Sequence, residues 1–505
     1  MVATTTVAAW AGTSGSGFWT SQPAMLSATQ ANVKVQPLLT VGDMLGAYRF
    51  EAIPDGIAVD PRGKNTFDIY VNHETSKVPF PFTAPLAPPA LTDFDNAQMS
   101  KLTLQRGAGK LLSGEIVIDS TNGFQRFCSN FFAGAAEGFS NPLVFTNEET
   151  PDLVNRAEAS WPPVAGATQA GVTVAYDPDS GVTTEIPGMG FFNHENTVVA
   201  PGFDDVVTLS GDDTFSRGNS QLYMYKAASR SALLADDGTL YAFVKDTGSN
   251  QVEALGPDPA PFTGHFIPVP KGIADGSANP GQEQDALEAW SDTNGVFEFL
   301  RIEDLARDRG DPNVIYFADT EGGGAFIPPV TGVTPLFGRV YKIVLNPTDP
   351  TGTATVSVLV NGDTAGAINP LAAIHSPDNI ETTATSLMIQ EDPSPGAFKY
   401  TPGDPIGTTA RIWQYVFATG ELRVVAKVDQ SQDPTAVWGD WESTGIVDAS
   451  AYFGRGAFLV NVQAHSLRVG QDNEILNPLP TPGAPDTIFQ KRESGQLILL
   501  KVPGA

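Results

Sequence analysis

The chain predicts an all-β fold: a β-propeller with long loop insertions and few short helices. Three observations lead there. Gly (50) and Pro (40) are abundant among 505 residues, while charged residues make up only 17%, a composition suited to many short strands joined by turns. Amphipathic helices are almost absent, and only QDALEAWSDTNGVFEFLRIEDLARD has room for one or two short turns. The same two-strand unit also recurs over the full length, as the blades of a propeller require.

Taken in order, the units are MSKLTLQRGAGKLLSGEIVID from Met99, GVTVAYDPDSGVTTEI from Gly171, QLYMYK from Gln221 with GTLYAFVKD from Gly238, GRVYKIVLNPTDPTGTATVSVLV from Gly338 and ARIWQYVFATGELRVVAKV from Ala410. GQLILLKV from Gly495 closes the series. Each alternates apolar and polar residues on both sides of a turn marked by Gly or Asp-Pro, the period of a strand. The repeats are degenerate and leave the blade count open; a pair of β-sandwiches would use the same hairpins. Pro- and Gly-rich stretches at 78–93, 256–272 and 476–486 read as long surface loops rather than interdomain linkers. The expected organisation is one propeller domain over residues 1–505, with an N-terminal extension of about residues 1–40.

Acidic residues outnumber basic ones by 57 to 29, for a net charge of −28. Such a chain repels nucleic acid and anionic lipid and suits cation binding or plain solubility. Cys128 is the only cysteine, so no disulfide forms within the chain. No run of 18 apolar residues is present, so no membrane-spanning helix is expected. The opening MVATTTVAAWAGTSGSGFW lacks a charged n-region and an apolar core. Either the protein stays inside the cell or an export leader has been replaced by a start Met. The sequence leaves the oligomeric state open.

Polar clusters interrupt the strand-like runs. They are Asn72-His73-Glu74, Cys128, Asn147-Glu148-Glu149, Asn193-His194-Glu195, Asp212-Asp213, Arg301 to Asp304, Asp319-Thr320-Glu321, Asp378-Asn379, Glu391-Asp392, Glu442 and His465. Most follow an apolar run, as in DIYVNHE, PLVFTNEE, VIYFADTE and SLMIQED. Strand ends that carry a carboxylate once per blade aim several ligands at one axis. Carboxylates that close must be protonated or share cations. Oxygen ligands favour Ca²⁺, Mg²⁺ or Mn²⁺, and a thiolate in the same site favours iron or zinc. Each cluster also has a plainer reading: a capped turn for Asn-His-Glu, a small buried apolar residue for Cys128, a turn for Gly211-Asp212-Asp213. Arg301 and Glu303 are alternate strand residues and face one side, as a surface pair or as a phosphate fork held by a carboxylate. A Gly-x-Ser-x-Gly elbow and a Walker loop are both absent, which disfavours a serine nucleophile.

The order of these motifs resembles the PhoX-type alkaline phosphatases. The resemblance rests on FFNHENTVVAPGFDDVVTLSGDDTFSRGNSQLYMYK with LLADDGTLYAFVKD, on EFLRIEDLARDRGDPNVIYFADTE, on HSPDNI with SLMIQED, and on ESTGIVDASAYFGRGAFLVNVQAHS. FCSNFF through PLVFTNEE occupies the slot of the family's cysteine and Glu-Glu segment. These motifs are collinear from about Asn72 to about His465. The chain departs from the family at Ile302, which replaces a proline. It also lacks a Trp-Gly-Thr run before Glu148-Glu149, and Ala464 is inserted before His465.

The resemblance implies an exported, periplasmic or extracellular phosphomonoesterase that acts on small phosphate esters through a buried calcium and ferric iron cluster. Cys128 would then be the iron thiolate, and Arg301 and Glu303 the phosphate clamp and a metal ligand. Glu195 matches the family's His-Glu glutamate. Glu148, Glu149 and Asp378 are further candidate ligands, followed by Glu74, His73 and Glu442. Two other readings remain at this point: a non-catalytic secreted calcium-binding propeller, and a phosphodiesterase, phosphotriesterase or lactonase on the same scaffold.

Overall fold

Six four-stranded antiparallel sheets follow one another along the chain in a computed structural model that describes residues 17–74, 97–119, 122–154, 168–214, 219–320, 337–363, 372–392, 408–469 and 492–505. Blade one is Pro54–Asp60, Thr66–His73, Gln98–Gln105 and Leu111–Ile118. Blade two is Phe127–Ala133, Leu143–Glu148, Thr173–Asp177 and Val182–Ile186. Blade three is His194–Val199, Val206–Asp212, Leu222–Ala227 and Gly238–Lys245. Blade four is Ile302–Arg307, Val314–Asp319, Arg339–Val344 and Ala354–Asn361. Blade five is Pro377–Thr382, Ser386–Glu391, Arg411–Val416 and Glu421–Val428. Blade six takes Trp441–Asp448, Ala457–Val469 and Arg492–Lys501 from the end of the chain and Lys34–Thr40 from its beginning. The first strand of each blade packs on the first strands of its two neighbours, and blade six packs on blade one. The ring is therefore a closed six-bladed propeller.

The hydrophobic core divides accordingly into six clusters, one in each seam between neighbouring blades. Ile57 and Val59 face blade six while Ala58 faces blade two; Leu459 faces blade one while Val460 and Val462 face blade five. Strands near the axis are apolar on both faces for this reason, and burial of both faces is what holds the ring together.

Part of the segment read as an N-terminal extension is built into the ring. Leu26–Ala28 pairs with Glu421–Val428 at the edge of blade five, and Lys34–Thr40 pairs with Arg492–Lys501 in blade six. The two chain ends meet in one sheet, which leaves the ring no open seam.

One loop expectation is corrected. Within 256–272, Phe262–Pro268 is a strand that pairs with the outer strands of blades three and four and joins them into one nine-stranded sheet. Its prolines stand before the strand or at its end, where no ladder donor is needed. The loops expected at 78–93 and 476–486, and Glu321, lie outside the described residues. The stretch expected to hold short turns contains a 12-residue helix, Glu283–Asn294, capped by Gly295 at φ 66°.

Candidate active site

A cavity of about 200 Å³ opens at one end of the propeller axis. A device repeated in every blade builds its wall. In five blades, two residues of the first strand oppose a single residue of the second. These pairs are Asp55-Gly56, Cys128-Ser129, Glu195-Asn196, Glu303-Asp304 and Asp378-Asn379. Blade six shifts register at Thr444–Ile446. Each shift is a β-bulge, which turns a side chain out of the alternation of the strand. The first residue of each pair, and Thr444 in blade six, lines the cavity.

The second residue stitches the blade to a neighbour. Gly56 lies so close to Cys128 and Asn130 that a Cβ would meet their backbone at 2.4 Å. Ser129 Oγ donates to Glu195 Oε1 at 2.7 Å, and Asn196 Nδ2 donates to Asp304 Oδ1. Asp304 Oδ2 accepts from Ile380 N at 2.9 Å, and Asn379 Oδ1 accepts from Gly445 N at 2.7 Å. Gly445, at φ 49°, touches Asp55 and closes the circle.

In blades one, two, three and five, the end of the second strand adds a pair of residues with opposite fates. The first residue pairs with the residue just before the bulge and points away from the cavity; the second faces the cavity. His73 holds Ser100 Oγ at 2.6 Å while Glu74 lines the cavity. Glu391 takes Arg411 in a fork (2.7 and 2.8 Å) and Trp413 Nε1 at 3.0 Å while Asp392 lines the cavity. Asp212 accepts from Thr214 Oγ1 at 2.7 Å while Asp213 lines it.

The same rule corrects Glu148. Its oxygens accept from the backbone N–H groups of Gln125 (2.8 Å), Gly171 (3.1 Å) and Val172 (3.2 Å). It is fully buried and does not line the cavity, whereas Glu149 does. The His73 and His194 rings are structural too. His194 stacks on Phe192 at 3.4 Å, hydrogen-bonds Gly190 O at 2.9 Å, and is held down to a pKa of about 3 by burial.

A third position, just before the first strand, contributes the positive charge. Arg301 Nε and Nη2 donate to Asp213 Oδ1 and Oδ2, both at 2.7 Å, and Nη2 also reaches Glu303 Oε1 at 2.6 Å. Arg126, at φ 45°, lies 3.3 Å from Glu74 and 3.9 Å from Glu149. Its left-handed backbone is a strained conformation of the kind found at functional sites. His465 sits between Glu493 (Nδ1, 2.6 Å) and Glu442 (Nε2, 3.0 Å).

Cys128, Glu149, Glu195, Glu303, Asp378, Glu74, Glu442 and Arg301 therefore line one cavity. Asp213, Asp392 and His465 belong with them, as do Asp55, Arg126, Thr444 and Gln463, which sequence reasoning missed. A signal for Asp55 was present, since Pro54-Asp55-Gly56 echoes Pro377-Asp378-Asn379 in the equivalent place.

Nine carboxyl groups line the cavity against the guanidinium groups of Arg126 and Arg301 and the His465 ring. Burial, followed by neighbouring charges, drives Asp55, Glu149, Glu195, Glu303 and Asp378 well above the usual carboxylate range. Glu442 is pushed up to about 8 by burial and then by Asp392. Burial and the surrounding acids push up the Cys128 thiol, which lies 2.7 Å from Glu149 Oε2. For Arg301, burial is outweighed by Asp213 and Glu303, and it stays charged.

Four sets of three ligand atoms lie mutually within 4.8 Å: Asp55/Glu74/Cys128, Cys128/Glu149/Glu195, Glu195/Glu303/Asp378 and Asp378/Asp392/Glu442. Consecutive sets share Cys128, Glu195 and Asp378. Excess negative charge, a donor set of oxygens with one sulfur, and shared ligands all fit a cluster of adjacent cations.

The model of the family described as alkaline phosphatase PhoX matches residues 163–464. The chain belongs to the PhoX alkaline phosphatase family. That match contains Glu195, Arg301, Glu303, Asp378 and Glu442, while the Cys128 side of the cavity lies before it. Among solved structures, PhoX of Pseudomonas fluorescens in complex with vanadate, a transition-state analogue, is 17% identical. It has a TM-score of 0.64 and covers 96% of this chain and 97% of its own. PhoX thus shares the β-propeller fold over nearly the whole chain. Weaker likenesses, with TM-scores of 0.33 and 0.31, are to an acylaminoacyl peptidase of Pyrococcus horikoshii (6% identity, covering 82% of this chain and 49% of that one) and Sqt1 of Chaetomium thermophilum (8%, covering 82% and 93%). Neither bears on this chain's function. No curated protein matches the chain. The PhoX relationship makes the chain a phosphatase-family protein. Among the described residues, no helix is long and apolar enough to cross a membrane.

Proposed function

We propose that the chain is a metal-dependent phosphoric monoester hydrolase, an exported one, whose chemistry takes place in the axial cavity. The observation that carries this reading is the convergence of nine carboxyl groups, one thiol and two guanidinium groups on one space, four of the carboxyls and the thiol turned inward by the first-strand bulges. An acidic protein repels a phosphate ester unless buried cations reverse the sign locally. The residues fit calcium, which Glu195, Glu303, Asp378, Asp392 and Glu442 would hold, and iron, which Cys128, Glu149 and Glu74 would hold, with Cys128 giving up its proton to the metal. When bound, such ions supply Lewis-acid charge to the phosphoryl oxygens and acidify a water.

The chain's own residues do the rest. Asp213 grips Arg301 in a fork, so its guanidinium plane is fixed before substrate arrives and little ordering is lost on binding. Glu303 holds the same guanidinium from a second side. Arg126, just before blade two, offers a second positive charge to the cavity that Arg301 lines from just before blade four. His465, bonded to a carboxylate at each nitrogen, is kept protonated: burial opposes this, but Glu493 and Glu442 outweigh it. These three positive groups favour an anion of high charge density, which a phosphate monoester dianion supplies and a neutral lactone does not.

The test is turnover of p-nitrophenyl phosphate, together with metal content per chain. Loss of turnover after dialysis against EDTA, recovery with Ca²⁺ and iron, and loss of iron in Cys128→Ala are the expected results. Undiminished turnover by both the dialysed protein and Cys128→Ala overturns the reading.

A further inference from the structure

A second acidic group lies outside the axial cavity. Glu288 and Asp292 stand one turn apart on the helix Glu283–Asn294, and Glu298 follows the helix; an oxygen of each lies within 4.8 Å of the others. Glu298 is 1% exposed. Its Oε2 accepts from Gln221 Nε2 at 2.7 Å, and its Oε1 has no hydrogen-bond partner. A buried carboxylate oxygen without a donor costs free energy unless something positive meets it. Gln221 Nε2 also donates to Glu288 Oε2 at 2.9 Å, so a single amide serves both acids.

We propose that Glu288, Asp292 and Glu298, with the side-chain oxygen of Gln221, form a separate site for a hard divalent cation such as Ca²⁺. Three carboxylates and an amide oxygen, completed by water, make the oxygen-only set that calcium takes. The Gln221 amide is nearly symmetric in shape. Turning it by 180° presents Oε1 to the carboxylates and Nε2 to Tyr223. Tyr223 Oη accepts as readily as it donates, and it lies 3.0 Å from both Gln221 Oε1 and Ser291 Oγ, so it then donates to Ser291. The network is satisfied by the printed orientation without an ion and by the turned one once an ion is bound, when Gln221 gives the ion a fourth oxygen.

Three further features agree. The charged neighbours that act on the pair are acids: Glu298 is pushed up to about 9 by burial, then by Glu288, Asp292 and Asp212, and Glu288 to about 7 by burial, then by Asp292, each against a lowering hydrogen bond from Gln221. Asp292 stands in the last helical turn, which has no basic residue, where the helix dipole disfavours an anion and favours a cation. Glu288 and Asp212 also border a cleft of about 220 Å³, so an ion has a way in. The backbone of Glu298 is already fixed, by N–H donation to Asn250 O at 2.7 Å and by the Phe299 bond to Ser220 at 2.8 Å. Bound there, an ion clamps the helix to the segment that leads three residues on to Arg301. The site does not depend on whether the axial cavity hydrolyses phosphate.

Terbium, which replaces calcium and emits when a nearby tyrosine or tryptophan absorbs, reads this site through Tyr223 and Trp290. Tyr223 adjoins it, Trp290 lies between Glu288 and Asp292 on the helix, and among the described residues no tyrosine or tryptophan lines the axial cavity. Expected for the wild type is sensitised emission that Ca²⁺ competes away. Glu288→Gln/Asp292→Asn should lose that emission and bind one Ca²⁺ fewer per chain at equal free Ca²⁺. Tyr223→Phe, with its ligands intact, should weaken the emission and keep the calcium count. An unchanged calcium count in the double variant, with circular dichroism of the native fold, overturns the proposal, as does undiminished emission in that variant.

Discussion

Glu148 and Glu149 are neighbours of one chemical type with opposite roles, and exchanging each for Gln separates fold from site. Glu148 accepts three backbone hydrogen bonds at 2.8–3.2 Å in a fully buried place. Gln keeps one acceptor oxygen. Facing Gly171 and Val172, that oxygen retains two bonds, now to a neutral group, while its NH₂ abuts the Gln125 N–H and leaves that donor unsatisfied. Weakening two charge-assisted bonds and orphaning one buried donor together cost about 3–5 kcal/mol. Glu149→Gln removes a carboxylate that burial already drives toward protonation, so its cost in stability is near zero in chelator and its effect falls on metal content and turnover. Urea unfolding in EDTA gives the stability difference. Turnover and metal per folded chain, below the transition, give the other half. Glu148→Gln should unfold at markedly lower urea yet work normally while folded, and Glu149→Gln should do the reverse. If Glu148→Gln abolished metal binding at unchanged stability, the alternation rule behind the cavity would be wrong.

Arg301→Ala should lower kcat/KM about 10²- to 10³-fold without changing metal content, and Arg301→Lys should recover little, because a point charge cannot donate a fork to Asp213 and still align with phosphate. Gly56→Ala should yield little folded protein, because its Cβ meets the backbone of blade two at 2.4 Å; soluble expression and circular dichroism check this. His194 has a pKa lowered to about 3 by burial, so it contributes stability above its unfolded value near 6.5 that is lost as pH falls toward 3, up to about 5 kcal/mol. Comparing urea midpoints at pH 7 and pH 4 should show a smaller acid loss in His194→Gln than in wild type. Chelation should lower the thermal midpoint most at alkaline pH, where the cavity carboxyl groups must ionise without cations, and scanning calorimetry at pH 6 and pH 9 reads the difference.

The hairpins picked out by alternation prove to be the outer two strands of blades one to five, and the terminal run is the third strand of blade six. Outer strands keep a wet face and so keep the period of two. The first two strands of a blade are buried on both faces and carry no such signature, so the blade count stayed open even though five hairpins and one closing strand were in view. Among site residues, an acid after an apolar run located nearly every second-strand position. It did not separate the paired acids Glu148-Glu149, Asp212-Asp213 and Glu391-Asp392, because both members have the same chemistry and only pairing with the bulged strand decides which one turns inward. Asp55 was missed for a related reason: Pro-Asp-Gly reads as a turn until the opposite strand shows it to be a bulge.

By itself, the sequence determined an all-β chain of repeated hairpins, an acidic balance that turns away nucleic acid, and a set of strand-end acids with one thiol and one key arginine. These are local properties of period and composition. The tertiary structure alone decided that there are six blades, that both chain ends close the last one, and that one residue of each acidic pair holds backbone while the other faces the axis. Register between strands far apart in the chain makes that choice, because a bulge of one residue reverses which face a side chain occupies.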